Sequence, residues 1–404
     1  MVLIALCCHQ ISWGKRFQQR FPLGVFRPAP TALCQYDKHE PKNAMTKTPL
    51  PNANDFNAFS LVCLNSNGRF VRPGKDLDGF TDGEEIKPDQ LPTFLKERIV
   101  LPEGVTDVFM WVHGWQNTHQ EAIGSARRLF NGINLLAKRQ PQRYPRLTPF
   151  VPAFLVVRWP SQSSFLPEGY KTIRDRATQL TEKGDAEFFL ASLLGYLDQK
   201  NTRVGGQGSK TLAAAGGFYV HCLGHSFGGR FLTAAIKAAA SPQPRTLSLM
   251  GSILSDDRLV LSVTSTNNFT FTVDSMLVFQ MAAPSASFAP QLSTLIHDAP
   301  FRGPLVTTFS SSDKANCLWH KLIGDEQAIG CCGVRQPIQD VNTTPLLLAD
   351  LSNNYAPKDF STNIVNVDAS AVFTDGNLMV GAHSDFFYEE SIHLTLSLVN
   401  HVHQ

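Results

Sequence analysis

Short apolar runs alternate with segments of helical spacing along most of the chain. Runs typical of buried strands lie at residues 56–64, 108–112, 150–157, 218–223, 276–281, 305–309 and 364–367. Apolar residues recur at helical intervals over residues 119–139, and further helices are expected over residues 172–197, 230–240 and 390–400. Because strands and helices alternate, the pattern predicts an α/β fold with a mostly parallel central sheet and helices on both faces.

Three regions fit this pattern less well. The first 55 residues include a polar stretch rich in Pro and Asn and are expected to form a poorly ordered N-terminal extension. Residues 56–404 are expected to form one domain, since no boundary separates its strands into two groups. Within that domain, the Ser/Thr-rich residues 242–274 and the irregular residues 314–360 are predicted to be insertions, the second covering one end of the sheet.

Composition excludes several classes of partner. A chain of 404 residues with 43% hydrophobic residues and 28 phenylalanines can bury a large core. The formal net charge is only +2 and no long basic stripe is present, so we predict no nucleic-acid partner. No run of 18 apolar residues occurs, which predicts no transmembrane segment. The sequence leaves the oligomeric state open.

The eight cysteines show neither a C-x-x-C pair nor histidines at zinc spacing, so we predict no metal and no cofactor. Adjacent Cys331 and Cys332 are interpreted as two ordinary thiols, and the whole set as reduced. A cytoplasmic location is therefore expected. The first 36 residues leave an organellar transit peptide as the alternative, because they contain four basic residues and no acidic one.

Residues 224–228 read Gly-His-Ser-Phe-Gly, between a predicted strand and a predicted helix. This G-x-S-x-G pattern in that context is typical of a nucleophile elbow, in which a tight turn exposes a strained serine and the flanking glycines let strand and helix approach. The bare pattern arises by chance about once in seven chains of this length. The predicted strand and helix on either side of the motif are therefore the stronger evidence. They favour Ser226 as a nucleophile over an ordinary turn serine.

A serine nucleophile needs a histidine to accept its proton and a carboxylate to orient that histidine. In a parallel sheet these groups are expected just beyond the carboxyl ends of strands. Asp313 lies four residues past the predicted strand 305–309, and His383 lies in a glycine-bearing loop before the last helix. The sequence therefore predicts Ser226, Asp313 and His383 as the catalytic residues.

Other residues compete for two of these roles. Asp313 could instead be the N-cap of a helix that follows it. Four further aspartates are alternative acids: Asp256, Asp257, Asp274 and Asp368. Five further histidines are alternative bases: His297, His320, His393, His401 and His403.

The motif, with the chain order serine, aspartate, histidine, resembles the α/β-hydrolase superfamily of serine hydrolases, in particular its lipases and esterases. His113-Gly114-Trp115, after an early strand, resembles the His-Gly segment that supplies an oxyanion donor in that family. Residues 159–161 (Trp-Pro-Ser) and 381–385 (Gly-Ala-His-Ser-Asp) are similar to a poorly characterised branch of it. The resemblance covers residues 105–400 in outline.

The resemblance implies cleavage of a carboxylic ester, or a related acyl bond of a small molecule, through an acyl-enzyme. It implies an oxyanion hole formed by the backbone N–H groups of Trp115 and Phe227. A peptidase, a thioesterase, an acyltransferase or a non-catalytic binding protein of the same fold remains an alternative.

Several residues near the motif are candidates for substrate binding. His113, His225 and Phe386 are named for this role, although His113 could shape the oxyanion loop and His225 could pack beside the site. Trp115, Phe165 and Phe387 could line an acyl pocket. For each phenylalanine, packing in the core is an equal alternative.

Overall fold

We describe the protein from a computed structural model. The described residues are 47–72, 83–163, 167–182, 184–201, 217–240, 273–288, 292, 295–296, 301–324, 326–335 and 343–403. Most of the predicted N-terminal extension and nearly all of the predicted insertion 242–274 lie outside them. Within these ranges, every helix is too short or too polar to cross a membrane.

The described strands form a nine-stranded sheet in the order β2-β1-β4-β3-β5-β6-β7-β9-β8. Only the β1–β2 pair is antiparallel. The strands are β1 Ser60–Leu64, β2 Phe70–Val71, β3 Asp107–Val112, β4 Pro152–Arg158, β5 Tyr219–His225, β6 Ser275–Phe279, β7 Leu305–Phe309, β8 Thr343–Leu347 and β9 Ile364–Asp368.

Helices follow most of the strands. The described α-helices are α1 Leu91–Arg98, α2 His119–Arg139, α3 Pro167–Glu182, α4 Ala186–Lys200, α5 Phe227–Ala240, α6 His320–Gly324, α7 Ile329–Cys332 and α8 Glu389–Val402. A π-helical turn, Ala315–Trp319, leads directly into α6.

The sheet is covered on both faces. Val108 and Met110 of β3 point into one core, which also holds apolar residues of α1, α3, α4 and α5. Phe109 and Trp111 point into a second core, which holds residues of α2 and α8. Alternate residues of a strand face opposite sides of a sheet, so a strand buried on both sides is apolar throughout. The predicted α/β class, with a mostly parallel sheet and helices on both faces, is confirmed.

The long helix predicted over residues 172–197 is two helices, α3 and α4. They separate around Gly184, where the carbonyl oxygen of Asn67 lies so close that a Cβ on residue 184 would be 2.7 Å from it. The same carbonyl accepts a hydrogen bond from the Asp185 N–H at 3.0 Å. The break therefore comes from a distant loop, which the helical spacing of the sequence does not register.

Part of the predicted N-terminal extension packs against the domain. The Leu50 N–H donates to the Phe387 carbonyl oxygen at 2.9 Å, and the Leu50 side chain is buried in the second core. Thr48 N–H also donates to the carboxylate of Glu390. Residues 47–50 are thus held by the chain around the start of α8.

The prediction that the cysteines are all reduced is wrong for one pair. Cys317, in the π-helical turn, forms a disulfide with Cys331 of α7. Cys63, Cys222 and Cys332 are buried free thiols. The disulfide lies inside the region 314–360, so it links two pieces of the segment that we predicted to cover one end of the sheet.

Candidate active site

The order of the strands creates a crevice between β3 and β5. From β3 the chain continues to β4 on one side, whereas from β5 it continues to β6 on the other side. Open α/β sheets bind ligands at such a switch point, outside the carboxyl ends of the strands. Ser226 follows the end of β5, and His113 follows the end of β3.

Ser226 occupies a tight turn between β5 and α5. Its φ of 52° lies in the left-handed region, which residues other than glycine rarely adopt. Its N–H donates to the Phe279 carbonyl oxygen at 2.9 Å, fixing the turn to β6. A Cβ on Gly228 would lie 2.2 Å from the His113 carbonyl oxygen, and one on Gly224 would lie 2.7 Å from the Cα of Gly229. Glycine is therefore required on both sides of this serine.

The structure brings Ser226, His383 and Asp313 together. The Nε2 atom of His383 lies 2.7 Å from the Ser226 Oγ atom. Its Nδ1 atom lies 3.0 and 2.9 Å from the two carboxylate oxygens of Asp313. All three side chains are buried, and each lies more than sixty residues from the other two in the sequence.

Two residues that sequence reasoning missed hold the carboxylate of Asp313. Asn316 Nδ2 donates to Oδ2 at 2.8 Å, and Gln280 Nε2 donates to the same oxygen at 3.1 Å. The backbone N–H of Asn316 donates to Oδ1 at 3.0 Å, so Asp313 also caps the turn that follows it, as the N-cap alternative proposed. The spacing of three residues could have identified Asn316. Gln280, which has a φ of 47° just after β6, carries no comparable signal.

His225 lies against the backbone of His383. Its Nε2 atom donates to the carbonyl oxygen of His383 at 2.7 Å, and its ring packs on Phe386 with centroids 4.7 Å apart. Burial pushes the pKa of His225 well below its ordinary value, so this imidazole stays neutral. These contacts favour a positioning role beside the site over contact with substrate.

His113 joins the ends of β3 and β4. Its Nδ1–H donates to the Gly114 carbonyl oxygen at 3.0 Å, and its Nε2 accepts the Trp159 N–H at 3.2 Å. The indole N–H of Trp159 donates to the His113 carbonyl oxygen at 2.7 Å. Burial lowers the pKa of His113 to about 3. Both ring nitrogens have protein partners, which favours the loop-shaping alternative.

The predicted oxyanion residues flank Ser226. A Cβ on Gly114 would lie 3.0 Å from the Ser226 Cβ, so the 113–115 segment passes directly beside the serine. Phe227 is the first residue of α5, and the N–H of a first helical residue has no partner within its helix. The Trp115 indole donates to Ser163 Oγ at 2.6 Å, which anchors that side of the crevice.

Of the proposed pocket phenylalanines, Phe386 belongs to the second core. Its ring stacks on Phe279 with centroids 4.7 Å apart. Phe387 packs at the edge of the same core and lies beneath the guanidinium of Arg128. The packing alternative therefore describes both residues. Phe165 lies outside the described residues.

The alternative acids and bases that belong to the described residues lie elsewhere in the fold. Asp274 accepts the Val220 N–H at 2.7 Å at the amino end of β6, and Asp368 accepts the Ser370 N–H. His393 bonds the Tyr144 hydroxyl at 2.7 Å. His320 begins α6 and its ring centroid lies 6.2 Å from that of Tyr170, and His401 is half-buried in α8. His403 bonds Asp107 Oδ1 at 2.7 Å, and three candidates lie outside the described residues: Asp256, Asp257 and His297.

One group among the described residues places metal-ligating atoms close together: Asp107, His221 and His403, whose ligand atoms lie within 4.8 Å of one another. Asp107 Oδ1 lies 2.9 Å from His221 Nε2 and 2.7 Å from His403 Nε2. The ligands of a tetrahedral zinc ion would be about 3.3 Å apart. The shorter distances are those of hydrogen bonds, and the cluster lies at the amino end of β3, away from Ser226.

No family of known proteins matches the sequence, and no curated protein matches it. Among solved structures, the chain is similar to TT1662 from Thermus thermophilus, with 10% identity and a TM-score of 0.34. The similarity covers 75% of this chain and 92% of that one. At this level it supports no statement about family or activity, and the fold class rests on the sheet itself.

Proposed function

We propose that this protein is a serine hydrolase of the α/β-hydrolase superfamily that cleaves a carboxylic ester of a small molecule. The observation that carries the proposal is the 2.7 Å contact between His383 Nε2 and Ser226 Oγ, at a strained turn that ends a central strand. Asp313 on the other ring nitrogen completes the arrangement that nucleophilic serines require.

The proton positions follow from this geometry. A carboxylate accepts hydrogen bonds, so the Nδ1 atom of His383 carries a hydrogen and donates it to Asp313. Nε2 is then the unprotonated nitrogen and accepts the hydroxyl proton of Ser226. As Ser226 Oγ attacks the substrate carbonyl, His383 takes this proton, and the buried carboxylate stabilises the imidazolium that forms.

The charge that develops on the substrate oxygen needs donors that are already in position. We assign this role to the backbone N–H groups of Trp115 and Phe227, which flank Ser226 from β3 and from α5. Collapse of the tetrahedral intermediate releases the alcohol, which takes its proton from His383. Water, deprotonated by the same histidine, then attacks the acyl-enzyme and frees Ser226.

A peptidase, a thioesterase or an acyltransferase would use the same residues, and no contact among the described residues favours one of them over an esterase. A non-catalytic binding protein is the alternative from another class. The contact between His383 Nε2 and the hydroxyl of a serine in a strained turn argues against it, because binding alone requires no base on that hydroxyl.

Two measurements test the proposal. A fluorophosphonate probe should label the wild-type protein and fail to label Ser226→Ala. A panel of 4-nitrophenyl esters of graded chain length should include at least one substrate, and Ser226→Ala should lower its kcat/KM by about a thousandfold or more. Ser192→Ala is the matched control, since Ser192 is also a buried serine but lies in α4, where its hydroxyl donates to the Phe188 carbonyl oxygen. Equal turnover by wild type and Ser226→Ala would refute the proposal.

A further inference from the structure

Tyr170 contacts the two residues to which we assign the oxyanion hole. This residue of α3 is fully buried, and its ring centroid lies 5.4 Å from that of Trp115 and 5.0 Å from that of Phe227. Its hydroxyl group has no hydrogen-bond partner among the described residues. Burial raises the pKa of Tyr170, so the phenol keeps its proton and can donate it.

His320 brings a second unpartnered polar atom to the same place. Its ring lies almost perpendicular to that of Tyr170, with centroids 6.2 Å apart. His320 Nδ1 is 3.0 Å from the Glu326 carbonyl oxygen, which can only accept, so Nδ1 carries the hydrogen. Burial lowers the pKa of His320 to about 4, so the ring is neutral near pH 7 and Nε2 is a bare acceptor. Within the described residues, this Nε2 has no donor.

The two helices that carry these residues are fixed to one another. The guanidinium of Arg174, one turn after Tyr170 in α3, donates to the carbonyl oxygen of Ile323 in α6 at 3.2 Å. The position of the phenol relative to the imidazole is therefore set by the helices. Buried polar groups are nearly always paired in folded proteins, so two unpaired groups on fixed supports beside one site indicate a ligand that pairs them.

The chemistry of the pair defines that ligand. Tyr170 Oη offers a hydrogen, and His320 Nε2 requires one. A hydroxyl group satisfies both, because it accepts from the phenol and donates to the imidazole. We propose that Tyr170 and His320 form a polar subsite that binds a hydroxyl group of the substrate close to the scissile ester. This inference rests on the proposed function and narrows it to hydroxyl-bearing esters.

Two pairs of esters, each differing at one hydroxyl group, test the subsite. 4-Nitrophenyl 3-hydroxybutyrate and 4-nitrophenyl butyrate differ by a hydroxyl on the acyl side. 2-Hydroxyethyl butyrate and propyl butyrate differ by a hydroxyl on the alcohol side. Wild-type protein should show a kcat/KM about tenfold or more higher for the hydroxyl member of one pair, since sites built to bind a hydroxyl reject the analogue that lacks it.

Removing only the phenolic oxygen should erase that preference. Tyr170→Phe is expected to lower the kcat/KM ratio of the hydroxyl to the plain ester about tenfold, the size of one or two neutral hydrogen bonds. His320→Leu should lower it similarly. Tyr144→Phe is the matched control, because Tyr144 is also a buried tyrosine, but its hydroxyl bonds His393 away from the site. Its ratio should equal that of wild type.

Binding without turnover separates this inference from the proposed chemistry. In the Ser226→Ala background, calorimetry should give a Kd about tenfold lower for 3-hydroxybutyramide than for butyramide, or for N-(2-hydroxyethyl)butyramide than for N-propylbutyramide. If wild-type protein hydrolyses no ester, the proposed function fails, while these amides still decide the subsite. The subsite proposal would be overturned if neither pair of amides and neither pair of esters showed a preference for the hydroxyl member. A preference that survives Tyr170→Phe would overturn it as well.

Discussion

The carboxylate of Asp313 is surrounded by donors. It accepts hydrogen bonds from the His383 ring, from the side chain and the backbone N–H of Asn316, and from the Gln280 side chain. Under the proposed function, Asn316 and Gln280 are therefore positioning residues that act on His383 through Asp313.

Asn316→Ala should slow the reaction without unfolding the protein. The variant keeps the backbone N–H bond to Asp313 and loses the side-chain bond, which is worth about 1.5–3 kcal/mol because its acceptor is charged. We expect kcat for a 4-nitrophenyl ester to fall about tenfold to a hundredfold. Asn366→Ala is the control, since Asn366 is also buried and bonds Thr307 and Val334 away from the site. An equal loss of kcat in both variants would contradict a specific role for Asn316.

At this scale the sequence predicted the three side chains that the structure brings together. Ser226 was identified from the glycines around it, and Asp313 and His383 from their places after a strand and before the last helix. Gln280 was missed because its role depends on a distant neighbour, the Asp313 carboxylate, which the chain brings to it only on folding, whereas the spacing of Asn316 from Asp313 could have identified Asn316. Sequence spacing registers local geometry and not such distant pairings.

Among the elements, the turn between β5 and α5 leaves no room for a side chain at residue 228. Gly228→Ala would place a methyl group 2.2 Å from the His113 carbonyl oxygen and 2.4 Å from that of Val112, and backbone atoms of a central strand cannot move aside. We expect a loss of several kcal/mol in the free energy of unfolding, measured by urea denaturation.

Gly124→Ala is the matched control for Gly228→Ala. Gly124 also lies in a helix, α2, but a Cβ there would meet no atom within 4 Å. Alanine should therefore raise the free energy of unfolding by about 0.5–1 kcal/mol, the helix propensity difference between the two residues. If both substitutions changed the free energy of unfolding in the same direction, the close approach at Gly228 would not limit stability.

The disulfide between the π-helical turn and α7 should stabilise the cover segment. It closes a loop with a sequence separation of 14 residues, for which the loss of chain entropy in the unfolded state corresponds to about 3 kcal/mol. Cys317→Ser with Cys331→Ser should lower the free energy of unfolding by about that amount, and reductant should lower that of the wild type equally. Cys332→Ser, which removes a buried free thiol, should leave the sensitivity to reductant intact.

Strands buried on both faces were predictable, and edge elements were not. The seven predicted strands all occur, with bounds shifted by a few residues, because apolar residues dominate β3 to β7 and nearly all of their side chains are buried. The edge strand β8 reads Thr-Thr-Pro-Leu-Leu with exposed and half-exposed side chains, and a proline is tolerated there because no described strand pairs with its outer side. Neither β8 nor the two-residue β2 carries an apolar pattern of its own.

For the molecule as a whole, buried neutral histidines make stability depend on pH. Burial lowers the pKa of His113 to about 3 and that of His320 to about 4, whereas in the unfolded chain both bind a proton near pH 6.5. The unfolded state therefore gains protons first as the pH falls. The stability from these groups is complete above pH 6.5 and is lost progressively below it.

Urea denaturation at several values between pH 7.5 and pH 5.0 measures this loss. Each of the two histidines should contribute a slope of up to about 1.4 kcal/mol per pH unit below pH 6.5. His113→Asn should reduce the total slope by up to about that amount, even though it lowers stability at pH 7.5. A free energy of unfolding that is constant across this range would contradict the buried, neutral state of both rings.

The cluster of Asp107, His221 and His403 has a consequence for biosynthesis. The first residue of the central strand β3 depends on a side chain nearly three hundred positions later for one of its hydrogen bonds. The ribosome synthesises β3 long before it adds His403. The Asp107 carboxylate therefore lacks one of its hydrogen-bond partners until residue 403 has been added. Nascent chains arrested before residue 403 should therefore remain sensitive to protease at β3, and the sheet should become protected only after α8 has left the exit tunnel.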